Sequence, residues 1–425
     1  MPDKWLSFFR SRKIRRRSYK RDKFRLSSVN WLRLAVIAGS IAVLVMIGIL
    51  GWNIYDNYRH REKLPDGAAY TAAPTGGAPT ATVPGSTPSL LDGKTEAPAL
   101  DLSGDVVTLK TKEKRINTPS FFQEELVYSA GSGSLDLPVL KNLYTYDLLT
   151  DKEKKITKAV VKDGEIYETV MNENWIIWVD TDQQGTNQIY CIDRNDTGKD
   201  PVLIKECDYT VPKLRLSRDV LLFSEQNEEK EERLYIVDLV TGEDLSIMDF
   251  TDSIQMLPDN YGVSSPDIYG DLIVWAAPNP KQTKEDILAN GEKSVIYELD
   301  LNRIWDENYH PPYFDPDMYV HEPVTNGTVL AWIDKNKAPD SRLYLKVGEE
   351  IILVSEGVTT YALGNGFVAY GHDSQIFIYN YETKTYGKVT APGKKGILPI
   401  VSGYRVVFFD LDATGKDTLK SVIIK

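Results

Sequence analysis

Cysteine is nearly absent from this chain: Cys191 and Cys207 are the only two in 425 residues. A disulfide scaffold is therefore excluded, which leaves one disulfide or, more plainly, two free thiols. Histidine is almost as scarce, with His60, His310, His321 and His372 the full set. That limits metal and acid–base chemistry before any motif is sought. The strong enzyme signatures are missing too. There is no G-x-S-x-G nucleophile elbow, no H-E-x-x-H, no phosphate-binding P-loop and no C-x-x-C. Beyond Asp105 helical periodicity is lacking, apart from a short piece near Lys281–Asn290.

Charge is unevenly spread. The chain carries −11 overall, yet residues 1–33 hold twelve Lys/Arg against Asp3 and Asp22, a net of +10 that leaves −21 for the rest. A basic end on an acidic body implies two environments. Between them lies an uncharged run of nineteen residues, LAVIAGSIAVLVMIGILGW from Leu34 to Trp52. At about 1.5 Å per residue it spans roughly 28 Å, close to the hydrocarbon thickness of a bilayer. Trp31 at one end and Trp52 and Tyr55 at the other suit the interfaces.

The run KIRRRSYKRDKFR before it, by the positive-inside rule, puts the N-terminus in the cytoplasm. No A-x-A cleavage pattern follows, so the segment reads as an uncleaved signal anchor. The basic tail is expected to face anionic lipid rather than nucleic acid. Ala35 with Gly39, and Ala38 with Ala42, have the small-residue spacing that permits weak helix pairing into a homodimer. The expected organisation is a basic cytoplasmic tail (1–33), a transmembrane helix (34–55), a flexible Pro/Thr/Ala/Gly-rich stalk (56–104) and an extracytoplasmic domain (105–425). The stalk sequence has too few large apolar residues to offset the entropy of ordering.

The outer domain repeats. A strand apolar at consecutive positions and ending in an aromatic residue recurs seven times, at Tyr128, Trp178, Phe223, Trp275, Trp332, Tyr370 and Phe408, with gaps of 38 to 57 residues. Consecutive apolar residues suit a strand buried on both faces. A second strand follows with an aromatic near its start, as in LYTYD, IYCID, LYIVD and IYELD. About four strands per 40–50 residues predicts an all-β propeller, seven-bladed, with six or eight blades or paired sandwiches as rivals. The last unit stops at its third strand, LKSVII. Val106–Lys110 has no other partner and is expected to supply the fourth, closing the ring.

The stretch Ile176–Ile204, with parts of Leu234–Met248 and Val406–Ile424, resembles the repeat of TolB-like and related WD-type bacterial propellers. Those repeats run from an apolar strand through a D-x-D-x-x-G-like turn to an I-Y strand ending in Asp. The resemblance implies architecture rather than activity.

Two features carry candidate chemistry. The turns holding Asp180, Asp182 and Asn187, and Asp410, Asp412 and Asp417, share D-x-D-x-x-G-x-[ND]. Alternating oxygen ligands suit calcium, although the bidentate Glu of an EF-hand is missing. The plainer reading is turn chemistry, and no cofactor is expected. The insertion Arg303–Tyr319 is dense in aromatics, with Trp305, Tyr309, Tyr313, Phe314 and Tyr319 beside Arg303 and His310. It is the expected surface for a protein or glycan ligand, unless its rings only staple an outer strand to its blade. The functional expectation is a membrane-tethered binding scaffold or sensor at the bacterial cell envelope. The alternative is an envelope enzyme, a glycan lyase or hydrolase, with its site in the propeller channel. That alternative requires His, Arg and acids converging from several blades.

Overall fold

The structure, a computed structural model, describes residues 100–182, 185–207, 210–226, 232–239, 254–256, 266–303, 310–335, 341–413 and 415–424. The basic tail, the candidate membrane helix and its small-residue spacing, and the stalk up to residue 99 lie outside the described residues, as do Trp305 and Tyr309. Among the described residues no helix is long and apolar enough to cross a membrane.

Seven sheets form, each antiparallel in its body. Their first strands are Ser120–Phe122, Glu165–Met171, Lys213–Ser217, Asp267–Tyr269, Val320–Thr325, Val358–Leu363 and Gly396–Ser402. Each first strand touches the first strand of the next sheet, and the seventh touches the first. The ring is therefore closed, and the first strands wall a central channel. The sheets are numbered here as blades 1 to 7 in chain order.

The seven aromatic-ended strands of the repeat are the second strands of the seven blades. Their terminal rings are at most 2% exposed, which makes them the core of the stack. In six blades the register sets that ring opposite an aromatic of the third strand: Tyr128–Tyr144, Trp178–Tyr190, Phe223–Tyr235, Trp275–Tyr297, Trp332–Tyr344 and Tyr370–Phe377. The ring centroids lie 5.2 to 6.1 Å apart and the planes are nearly parallel. Offset pairs of this kind add about 0.5–1.5 kcal/mol each beyond the area they bury. The repeated aromatics of the sequence are thus a cross-strand pair copied from blade to blade.

Closure follows the expected route. Val107–Thr108 pairs antiparallel with Leu419–Ile423 as the outer strand of blade 7. Chain order adds a second element: Leu100–Asp101, which composition placed in the stalk, pairs in parallel with Thr385–Lys388 of blade 6. Leu102 beside it is buried. Residues 100–424 thus supply every strand of the ring. The one α-helix among the described residues, Lys284–Asn290, falls where the short helical piece was expected and starts at a Thr283–Asp286 capping box.

Polar staples join neighbouring blades. The Asn172 side chain donates to the Arg218 carbonyl, and Gly270 N donates to Ser217 Oγ at 2.9 Å. Asn326 Nδ2 donates to the Gly364 carbonyl at 3.0 Å. At the seam between blades 7 and 1, Arg405 meets Glu124 at 2.7 Å.

Candidate functional site

The two D-x-D-x-x-G turns make specific internal bonds. Asp180 is fully buried. One of its carboxylate oxygens accepts the Val160 amide and, at 3.2 Å, the Val161 amide, fixing the chain where it enters blade 2. Burial pushes the Asp180 carboxyl up to about 6, against the opposing pull of these amides. Asp182 accepts Thr186 N at 2.9 Å, and Asn187 accepts the Thr181 hydroxyl at 2.7 Å. In the second turn Asp410 accepts Asp412 N at 3.0 Å and meets Lys420 Nζ at 2.8 Å, while Asp412 accepts Lys395 N at 2.9 Å. Asp417 accepts Arg115 Nη1 and Ile116 N, both at 2.9 Å, and so clasps the last blade to the first. Among the described residues no group of three or more His, Cys, Asp or Glu is placed to hold a metal ion. Cys191 and Cys207 are free and buried.

The aromatic insertion divides. Tyr313 and Phe314 open the outer strand of blade 4, Tyr313–Met318. The Tyr313 ring packs on Tyr297 of the adjoining strand at 5.5 Å, under Lys281 Nζ. Phe314 meets Trp332 of blade 5 edge-on at 5.7 Å, and Tyr319 lies 6.2 Å from the His321 ring. These contacts are blade packing. Arg303 and His310 are exposed.

A different group converges, on the channel wall. Arg215 of blade 3 reaches Asp267 of blade 4 at 3.3 Å. The other Asp267 oxygen accepts Thr325 N of blade 5 at 2.9 Å. Glu322 and His321 of blade 5 lie 3.8 Å apart, and Lys335 Nζ sits 3.2 Å from His321 Nδ1. Tyr361 of blade 6 donates its hydroxyl to the Glu322 carbonyl. Electrostatics tie the group together. Burial raises the Asp267 carboxyl, with Arg215 pulling it back. The His321 bond, with Lys335 and Arg215 nearby, lowers Glu322. Tyr361 is pushed well up by burial, then by the Glu322 and Asp267 charges. On the neighbouring wall Glu168 of blade 2 pairs with Lys213 of blade 3.

Backbone geometry delivers Glu322. The pairing of the first and second strands of blade 5 slips between His321 and Val324, a bulge, and Glu322 has φ +51°. Bulges re-aim side chains, and a left-handed non-glycine residue persists only where its surroundings hold it. The ligand-binding set expected from the sequence included none of these wall residues. A signal for them was present: Arg215, Asp267, Tyr361, Glu168 and Glu322 stand eight to ten residues ahead of the aromatic that ends the next strand.

No family model and no curated protein matches this chain. Solved structures do. The β-propeller domain of the trilobed protease from Pyrococcus furiosus is similar over 74% of this chain and 94% of its own, at 13% identity and a TM-score of 0.53. An oligogalacturonate lyase from Vibrio parahaemolyticus is similar over 75% and 93%, at 12% identity and a TM-score of 0.52. The chain is a seven-bladed β-propeller. At these identities the likeness extends to the fold alone.

Proposed function

We propose that this propeller binds a polar glycan in its channel, with Arg215, Asp267, Glu322, Tyr361, His321 and Lys335 forming the contact set, and that the N-terminal segment tethers it outside the cell membrane. The convergence of charged and hydrogen-bonding groups from four consecutive blades, 3 to 6, carries this reading. A sugar hydroxyl both donates and accepts, and here carboxylate acceptors stand beside guanidinium and ammonium donors. A few convergent polar groups on a rigid scaffold are what orient a ligand. The TolB-like repeat pattern and the apolar run at 34–52 support the envelope setting.

The test is titration of residues 100–425 with neutral and uronate-containing oligosaccharides by calorimetry. Binding is expected, weakened about tenfold by Glu322→Gln, as for one charge-assisted hydrogen bond. Binding indifferent to Glu322→Gln and to Arg215→Gln would sink the channel site. For the tether, a reporter active only outside the cytoplasm, fused to residue 425, should be active; activity inside would remove that half of the proposal.

The enzyme reading has one specific support. The raised Asp267 carboxyl beside Arg215 is the kind of perturbed group that serves proton transfer. A fold neighbour is an oligogalacturonate lyase. A lyase would generate unsaturated sugar ends, visible as new ultraviolet absorbance; their absence on uronate oligomers leaves binding without lyase turnover.

A further inference from the structure

Three of the seven blades put leucine into water on the same face of the ring. Strands alternate in direction along each blade, so the connections between second and third strands all lie on one face. In blade 1 these strands, Glu125–Gly133 and Pro138–Asp147, are the longest described, and their tip projects Leu135 and Leu137, 71% and 76% exposed. Ser134 Oγ accepts the Leu137 amide at 3.1 Å and so fixes that tip. In blade 7 the connection carries Leu411, 45% exposed, which lines the same cleft as Leu135 across the seam. In blade 4 it carries the helix Lys284–Asn290, whose Leu288 is 88% exposed. Apolar side chains scattered singly over a surface need no explanation, but four of the six exposed leucines among the described residues stand on this one face.

Lysine accompanies them. Lys284 precedes Leu288 by four residues and so shares its side of the helix. Lys394 and Lys395 stand beside Leu411, whose amide donates to the Lys395 carbonyl at 3.1 Å. Lys114 lies between the blade 1 and blade 7 connections: its amide donates to the Gly131 carbonyl at 3.1 Å, and its carbonyl accepts Asp417 N at 3.0 Å. All four lysines are exposed, and among the described residues their ammonium groups have no hydrogen bond or ion pair. In a ring of seven, blade 4 lies opposite the seam of blades 7 and 1. A partner that covers all four leucines must therefore be flat and as wide as the ring. Leucine tips collared by free ammonium groups match anionic headgroups over hydrocarbon. Asp136, between the two tip leucines, limits entry to the headgroup layer, since a carboxylate in hydrocarbon is costly. The same chain holds at 34–52 an uncharged run long enough to cross a bilayer.

We propose that this face of the ring rests on an anionic lipid bilayer, with Leu135, Leu137, Leu288 and Leu411 in the headgroup layer and the four lysines against lipid phosphates. The proposal rests on the tether half of the reading above, which keeps the ring beside a bilayer, and it is independent of the channel.

The test is co-sedimentation of residues 100–425, which hold every strand of the ring, with vesicles of phosphatidylglycerol and phosphatidylcholine in equal parts. Binding is expected there, with little on pure phosphatidylcholine and less at high salt. Leu137→Ser combined with Leu288→Ser should weaken it at least about tenfold with melting unchanged, since both side chains are exposed. Lys394→Glu combined with Lys395→Glu should weaken it about thirtyfold or more. No binding to the anionic vesicles, or binding that both paired variants leave intact, would overturn the proposal. So would a dimer in solution that Leu137→Ser disrupts while vesicles capture nothing, which would give the face to a second copy. The tether is read separately by the reporter fusion. An inactive reporter with vesicle binding intact removes the tether and supports the face; an active reporter with no vesicle binding keeps the tether and removes the face.

Discussion

Blades 5 and 7 share a backbone and differ in what they put on it. Both first strands bulge, both hold a left-handed residue before proline, and one carries Glu322 while the other carries Leu398. The shared part is architectural, because a repeat reproduces its strain along with its strands. The differing part is free to take a function. The comparison extends to the surroundings. On the Glu322 side of the wall Glu322 itself is 51% exposed and Arg215 38%, over an Asp267 that is largely covered. The Leu398 side adjoins the seam where the ring closes, and there the charges are buried and committed to one another.

That contrast predicts different responses to losing one carboxylate. Asp417→Ala leaves the Arg115 guanidinium, 7% exposed, without its partner at the seam. Breaking a buried pair from one side costs about 3–5 kcal/mol, so a large fall in melting temperature is expected. Glu322→Gln on the opposite arc should leave melting nearly unchanged while altering binding. If the two variants melt alike, the division between a structural seam and an open arc is wrong.

A smaller effect concerns Asp180, a buried carboxylate held by amides where Asp417 has a cation. Its carboxyl is raised from 3.8 to about 6, so between those values the folded state holds the proton more tightly than the unfolded chain. Asp180 therefore favours folding least above pH 6 and progressively more as pH falls toward 3.8. Relative to Asp180→Asn, the native protein should lose stability as pH rises through that window, by at most about 1.4 kcal/mol per pH unit. Denaturant melts of both proteins across the window check it, and parallel curves would show that Asp180 does not titrate there. Smallest is Tyr361→Phe. It removes the hydroxyl that links blade 6 to the Glu322 carbonyl, and about 1 kcal/mol is expected. An unchanged denaturation midpoint would mean that this bond does not hold the bulge.

Much of this fold was legible because its core is local and repetitive. The runs ending at Trp178 and Trp332 announce buried strands without help from the rest of the chain. The leftover Val106–Lys110 announces closure because the last unit lacks a strand. The channel wall is another matter. First strands such as Asp267–Tyr269 and Val320–Thr325 are short, polar and interrupted by bulges and prolines, so no period survives in them. Arg215 and Glu322 stand far apart in sequence, and only the curvature of the ring brings them near each other. The D-x-D-x-x-G turns read two ways in the sequence for a physical reason: the oxygens that could ligate a cation are the same ones that satisfy backbone amides, as Asp182 and Asp412 do here. Likewise Tyr313 and Phe314 read as a surface anchor in the sequence, while their half-buried rings sit on an outer strand against Tyr297 and Trp332.

The pairing of Val107 with Ser421 sets a timetable for folding. Val107–Thr108 must wait for Leu419–Ile423, far along the chain, before it has a neighbour, and until then the outer edge of Leu419–Ile423 stands open although its inner edge pairs with Arg405–Asp410. Contacts between segments distant in sequence are the slowest to form, and unpaired edges invite other chains in the interval. A ring still lacking this pair is a gapped one, in which Leu109 and Leu419 have yet to cover each other.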